Sequence, residues 1–351
     1  MKRLTAVMIA LVVTQLSCVS IGDTNSASPW SPSSPPPTLG PSHLLIAKSP
    51  TWNERWRRTI GPSYFSVPLL AISGDALILP VWSERETLIT SVSTHDGHTI
   101  WAKKVADPDF PGRQIRVVNS LFADSDRVYA ALPFGVQSFR VEDGELQWIT
   151  TRLPEHTSYR IFPKIEDGTI RVYGITSKTV LYDIGFDDGQ IKSTQDYPER
   201  LVLKIESVEC VEDALDLRCT DNETKTSWKV TTRGSVRSWP LYIDSRIVLF
   251  ASGPHLSSLT GVEPASGAIV WQTPEDVVSN FTTINGTAYS LRIDAALVAR
   301  DVFSGQEVDR LQFGGGPLDT ESGGEYWVVG ADDKLFVYFG DSQELVALGP
   351  N

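Results

Sequence analysis

The chain has 351 residues, 41% of them hydrophobic and 21% charged, so it can bury a sizeable core as one large domain or two ordinary ones. Its formal net charge of −12 is spread along the chain, and the scattered Lys and Arg argue against nucleic acid or anionic lipid as a partner. The one dense basic group, Arg55, Arg57 and Arg58 beside Trp56, fits the solvated edge of a strand.

In chain order, Lys2 and Arg3 precede an apolar run from Leu4 to Leu16, which reads as a secretory signal over residues 1–17. The mature protein is therefore expected outside the cytoplasm. Leu16-Ser17-Cys18 resembles the lipobox of bacterial lipoproteins, with Gln15 departing from the usual apolar residue. That resemblance implies lipidation of Cys18 and anchoring on the extracytoplasmic side, at the outer membrane or cell surface. The alternative is a cleaved signal that removes Cys18 and leaves a secreted protein. Residues 18–50 are rich in Ser and Pro and read as a disordered tether, and residues 51–351 as the folded domain.

Beyond residue 50, short β-branched and aromatic runs alternate with Gly, Asp, Ser and Pro, and no long stretch has helical periodicity. The prediction is all-β. One unit reads as strands at Ile115–Val118, Arg127–Leu132 and Val136–Val141, an Asp143-Gly144 turn, and a last strand through Trp148. The best repeats are Asp96-Gly97 to Trp101, Asp143-Gly144 to Trp148 and Ser266-Gly267 to Trp271. Aligning weaker copies adds Trp56, Ser193, Trp228, Asp309 and Val346, at intervals of about 35 to 47 residues, the length of a propeller blade.

The expected fold is a single β-propeller of four-stranded antiparallel blades, seven in number, with eight as the alternative. Seven positions from Trp101 to Val346 are counted as blades, and Trp56 lies on an extra N-terminal strand that joins the last blade. Asp-Gly pairs suit tight hairpins with φ > 0, and the Trp four residues on is assigned to packing between blades rather than to ligand contact. The fourth unit, with Thr224 in place of Gly before Trp228, looks one strand short. Cys210 and Cys219 lie there, and in an oxidising compartment they are expected to pair across a hairpin; free thiols are the alternative.

The Asp-Gly-x-x-x-Trp turns at Asp96–Trp101 and Asp143–Trp148 resemble the repeats of pyrroloquinoline-quinone-type (quinoprotein alcohol dehydrogenase-like) β-propellers, over about residues 50 to 351. The resemblance implies the propeller and raises quinone-dependent dehydrogenase activity as a possibility to weigh. The alcohol-oxidising branch carries adjacent cysteines, which this chain lacks, and no residue maps onto quinone or calcium ligands. No catalytic, cofactor-binding or metal-ligating residue is assigned. His95 and His98 straddle one turn, Asp187-Asp188 and Asp332-Asp333 sit at others, and solvated turns account for all of them. Asn222, Asn280 and Asn285 head glycosylation-type triplets to which a bacterial-type signal gives no weight.

The functional expectation is a non-catalytic, lipid-anchored, monomeric propeller that binds envelope or surface proteins as an interaction or assembly scaffold. By fold, this is similar to the propeller lipoproteins of outer-membrane assembly machinery. A sensor for a small molecule or glycan, bound in the central channel or across one face, is the alternative.

Overall fold

The computed structural model describes residues 45–47, 52–60, 70–82, 86–105, 118–150, 153, 158–166, 168–175, 179–197, 200–205, 208–213, 216–231, 236–244, 247–252, 256–264, 266–320, 326–331 and 333–350. Residues 1–44 lie outside this set, so the signal peptide, Cys18 and most of the tether do too, as does Asp332.

Every regular element among the described residues is a strand, and all of them except Leu45–Ala47 group into seven antiparallel units of four. Blade 1 is Ala71–Ser73, Ala76–Trp82, Thr87–Ser93 and Thr99–Lys104, and blade 2 is Ser120–Ala123, Arg127–Leu132, Gly135–Arg140 and Leu146–Ile149. Blade 3 spans Ser158–Tyr197, blade 4 Arg200–Thr231, blade 5 Val236–Gln272 and blade 6 Val277–Phe313. Blade 7 takes three strands from the C-terminus, Tyr326–Ala331, Lys334–Phe339 and Glu344–Pro350, and its fourth from the N-terminus, Trp52–Thr59. A parallel bridge, Ser279 to Tyr326, joins the innermost strands of blades 6 and 7. Asn280 strengthens this seam: its side-chain amide donates to Val328 O and accepts from Val328 N, each at 2.8 Å.

The burial pattern follows from the stacking of blades face against face. Third strands such as Gly135–Arg140 and Ser258–Val262 are covered on both faces and read as nearly continuous buried runs. Fourth strands such as Thr99–Lys104 bury a single residue, Trp101, and expose the rest. Apolar clusters join blade 1 to blade 2 through Ile78, Trp101, Val128 and Phe139, and blade 2 to blade 3 through Tyr129, Trp148, Val172 and Tyr182. The ring closes where Leu77, Leu79 and Val92 of blade 1 meet Trp327, Phe336 and Tyr338 of blade 7. Burial of this kind contributes roughly 25 cal/mol per Å² of apolar surface, which makes the blade interfaces the main source of stability.

Three sequence expectations need correction. The first described strand of blade 2 is Ser120–Ala123, and residues 115–117 of the Ile115–Val118 run lie outside the described set. Blade 4 is complete, because Arg200–Ile205 pairs with Val208–Asp213 as an ordinary inner hairpin. Val346 is not a blade-edge position: it lies on the third strand of blade 7, and Trp56, opposite Ala347, occupies the edge. The Asp-Gly turns are not two-residue hairpins. Gly97, Gly144, Gly189, Gly267 and Gly305 each donate N–H to the carbonyl four residues back, and only the Gly of each pair has positive φ.

Leu45–Ala47, within the segment read as tether, pairs along the outer edge of blade 6, with Leu45 opposite Phe313 and Ala47 opposite Gln312. Cys210 and Cys219 face each other on the second and third strands of blade 4, both fully buried, and form a disulfide. Replacing both with Ser is expected to lower unfolding stability by about 2–3 kcal/mol, the value for closing so short a loop. Urea denaturation of oxidised wild type against the double variant checks it; an unchanged midpoint would mean that the hairpin is held by its ladder alone.

Candidate functional site

Each edge Trp packs against the neighbouring blade, and its partner there is the turn Gly. A Cβ built on Gly144 would lie 2.6 Å from the Trp101 ring, one on Gly189 2.5 Å from Trp148, and one on Gly305 2.5 Å from Trp271. Trp56 meets Gly97 in the same way at 2.8 Å, while Trp228 approaches Gly267 through its Cβ at 2.6 Å, with the ring beginning at 3.2 Å. Four of these indoles also donate Nε1–H to the carbonyl three residues before the Gly: Trp56 to Thr94 at 2.9 Å, Trp101 to Val141 at 2.6 Å, Trp148 to Phe186 at 2.8 Å and Trp271 to Val302 at 3.0 Å. The ring thus buries its apolar face on a bare backbone and satisfies its one donor. The Gly and the Trp of a single sequence motif therefore belong to two different interfaces.

The two remaining interfaces lack both halves of the device. Ser193 stands at the edge of blade 3, where it donates to Asp183 Oδ2 at 2.6 Å while Arg171 donates to Asp183 Oδ1 at 2.8 Å. The facing turn of blade 4 has no Gly; Lys225 takes the positive φ there. Asp309 stands at the edge of blade 6, and blade 7 has no turn to receive a ring because its third and fourth strands are opposite ends of the chain. Trp52 enters this interface instead, 4% exposed and edge-on to Tyr289 at 5.7 Å.

With these rings assigned to the interior, the outer rim is what remains open. Ile100, Leu146, Ile269, Val270 and Val308 are all exposed on fourth strands, just after the Gly turns. Between the rims of blades 1 and 2 lies a groove of about 600 Å³, lined by Lys103, Lys104, Phe139, Glu145, Leu146 and Ile149. On its blade 2 wall, Arg140 donates to Asp143 at 2.9 Å and to Glu145 at 2.5 Å. That guanidinium, with the Glu145 backbone N–H, holds the Asp143 carboxyl down from 3.8 to about 2. Lys104 pairs with Glu86 at 3.3 Å.

The polar candidates scatter instead of converging. His95 pairs with Asp75 at 3.0 Å and His98 with Asp96 at 2.6 Å, within and beside one turn. Asp187 pairs with Arg127, and Asp188 caps its turn through Gln190 N–H and binds Lys192. No group of three His, Cys, Asp or Glu among the described residues is arranged to hold a metal ion. Asn280 is buried in the blade 6–7 seam.

Sequence reasoning missed Trp52, the receiving roles of Gly189 and Gly305, and the rim groove. A signal for Gly189 was present, since Asp188-Gly189 repeats the turn chemistry, but Ser193 four residues later hid it.

No protein-family model matches the chain, and no curated protein matches it in sequence. Solved structures do share its fold. BamB from Moraxella catarrhalis aligns with a TM-score of 0.50 at 12% identity, covering 80% of this chain and 84% of that one. The computationally designed Ika8 protein gives 0.51 at 12% identity, over 84% and 99%. The Neurospora crassa Pan2 WD40 domain gives 0.62 at 12% identity, over 88% and 97%. This chain is a β-propeller, alike to them in architecture.

Proposed function

We propose that this protein is a non-catalytic, lipid-anchored propeller that acts outside the cytoplasm as a protein-interaction or envelope-assembly scaffold. The observation that carries the reading is the division of apolar residues. The rings lock blades together, while Ile100, Leu146, Ile269, Val270 and Val308 stay exposed on the rim. Exposed apolar side chains on the outermost strands suit a surface that is covered by a partner. Export and anchoring rest on the signal-like N-terminus and Cys18.

Photo-crosslinking residues placed at Leu146 and Ile269 in the native host are expected to give discrete protein adducts. N-terminal mass spectrometry is expected to find a diacyl- or triacylglyceryl group on Cys18. Absence of adducts at every rim position would overturn the scaffold, and an unlipidated N-terminus beyond Cys18 would overturn the anchor. A second reading, a small-molecule or glycan sensor, draws on the groove volume, which lies within the range of ligand sites. A saturable thermal shift with a sugar or polyol would favour it.

A further inference from the structure

We infer that the outer edge of blade 6 is a strand-acceptor site, occupied in the resting protein by its own Leu45–Ala47, and that an extended, uncharged apolar segment of a partner protein binds there by displacing it. The inference rests on the scaffold reading and names where and how the scaffold takes its partner.

The site is defined by what already sits on it. Glu307–Phe313, seven residues long, pairs inward with Ala296–Asp301, and its outer neighbour is Leu45–Ala47. This resident strand covers one end only, Leu45 opposite Phe313 and Ala47 opposite Gln312, with a register shift between them. Phe313 N–H points inward to Ala295 O at 3.1 Å, so by alternation the N–H groups of Gln312 and Arg310 point outward. Gln312 lies opposite the resident strand, whereas Arg310 N–H is met by the neighbouring Asp309 Oδ1 at 2.8 Å. Beyond it Val308 is 58% exposed. A strand that runs from Phe313 to Val308 gains ladder bonds and apolar contact that three residues do not reach.

Leu45–Ala47 can leave without opening the ring. Closure is the work of Trp52–Thr59, which pairs along its length with Glu344–Pro350 and carries the buried Trp52. Four residues separate Ala47 from Trp52, so the short strand can detach while the long one stays paired. Its short ladder places it at the low end of local stability.

Charge does not guide the occupant. Glu307 binds Arg310 at 2.7 Å and Arg300 at 3.4 Å, and Arg310 also reaches Asp294 at 3.6 Å. The ionic groups of this edge are thus answered within blade 6, and the resident sequence, Leu-Ile-Ala, is itself uncharged. An uncharged segment is what both observations select, since a charge on an added strand would find its counter-ions already engaged.

The probe is the chain's own segment, a peptide of Ser42–Ala47 capped at both ends, added up to millimolar concentration to three isotope-labelled full chains. In the chain carrying Leu45→Pro and Ala47→Pro, whose resident strand has lost its N–H groups at both register positions, the peptide should give saturable amide shifts at Val308–Phe313. The wild type should bind it at least about tenfold more weakly, because its tethered copy competes at an effective concentration in the millimolar range. A third chain, Ala47→Cys with Gln312→Cys, oxidised, pins the strand through the same opposed placement as Cys210 and Cys219 and should show no shifts. Equal binding by the wild type and the proline chain, no binding to the proline chain, or shifts elsewhere would overturn the inference. Should the prolines unfold the protein, wild-type and pinned chains that respond alike would overturn it as well. Crosslinking separates its failure from that of the scaffold reading: adducts at Leu146 or Ile269 but none at Val308 in the proline chain overturn the acceptor edge alone, whereas none at any rim position overturns both.

Discussion

Gly189→Ala is expected to destabilise the protein by about 2–5 kcal/mol, and Gly168→Ala by only about 1 kcal/mol. The pair is a controlled comparison within blade 3. Both glycines have positive φ, +65° and +72°, so both substitutions bear the backbone cost of placing a Cβ in the left-handed region. Around Gly168 there is nothing within 4 Å of the added carbon. At Gly189 the carbon would lie 2.5 Å from Cε3 and 2.8 Å from Cδ2 of Trp148. The indole cannot withdraw without losing its bond to Phe186 O and its place beside Tyr129, 5.9 Å between ring centroids. Urea unfolding of the two variants measures the difference directly. Equal losses would show that the ring yields freely and that the Gly serves the turn alone.

The second large effect is expected at the N-terminal strand. Without residues 45–59, blade 7 loses its fourth strand, Glu344–Pro350 becomes an exposed edge, and the blade 6–7 interface loses Trp52. Removing a buried Trp side chain alone costs about 3–5 kcal/mol, comparable with much of a domain's net stability. The truncated chain should therefore lack a cooperative transition. Trp52 is paired with Pro350, so the missing strand begins where the C-terminal strand ends. A permuted chain that carries residues 52–59 after Asn351, through a short turn, should regain cooperative unfolding. Circular dichroism through a thermal ramp distinguishes the outcomes. A truncated chain that unfolds like wild type would show that the seam through Asn280 and Val328 holds the ring without this strand.

The repeat was legible because Gly, Asp and Trp recur for local reasons that a linear pattern exposes. The turn needs one residue with positive φ, the Asp or Ser before it caps the following N–H, and the Trp falls on the next strand. Asp143 Oδ1 accepting from Glu145 N at 2.9 Å and Ser266 Oγ from Ala268 N at 3.2 Å show the capping in two of the best copies. The pairing of Cys210 with Cys219 was readable for the same reason, since few residues separate them. The groove was not readable. Its walls come from Lys103 on one blade and Leu146 on the next, and nothing in either strand's sequence marks that they share a cleft.

By itself, then, the sequence determined the all-β class, the blade period and the residues that turn and edge each blade, because these depend on backbone conformation and alternation over a few neighbours. Tertiary structure decided which Gly each Trp meets, that Trp52 fills the interface where Asp309 and the chain ends leave no ring and no turn, and which rim edges stay open. Those outcomes depend on stacking one blade against the next. The contacts that stacking creates link residues about forty positions apart, or at opposite ends of the chain, where no local pattern can register them.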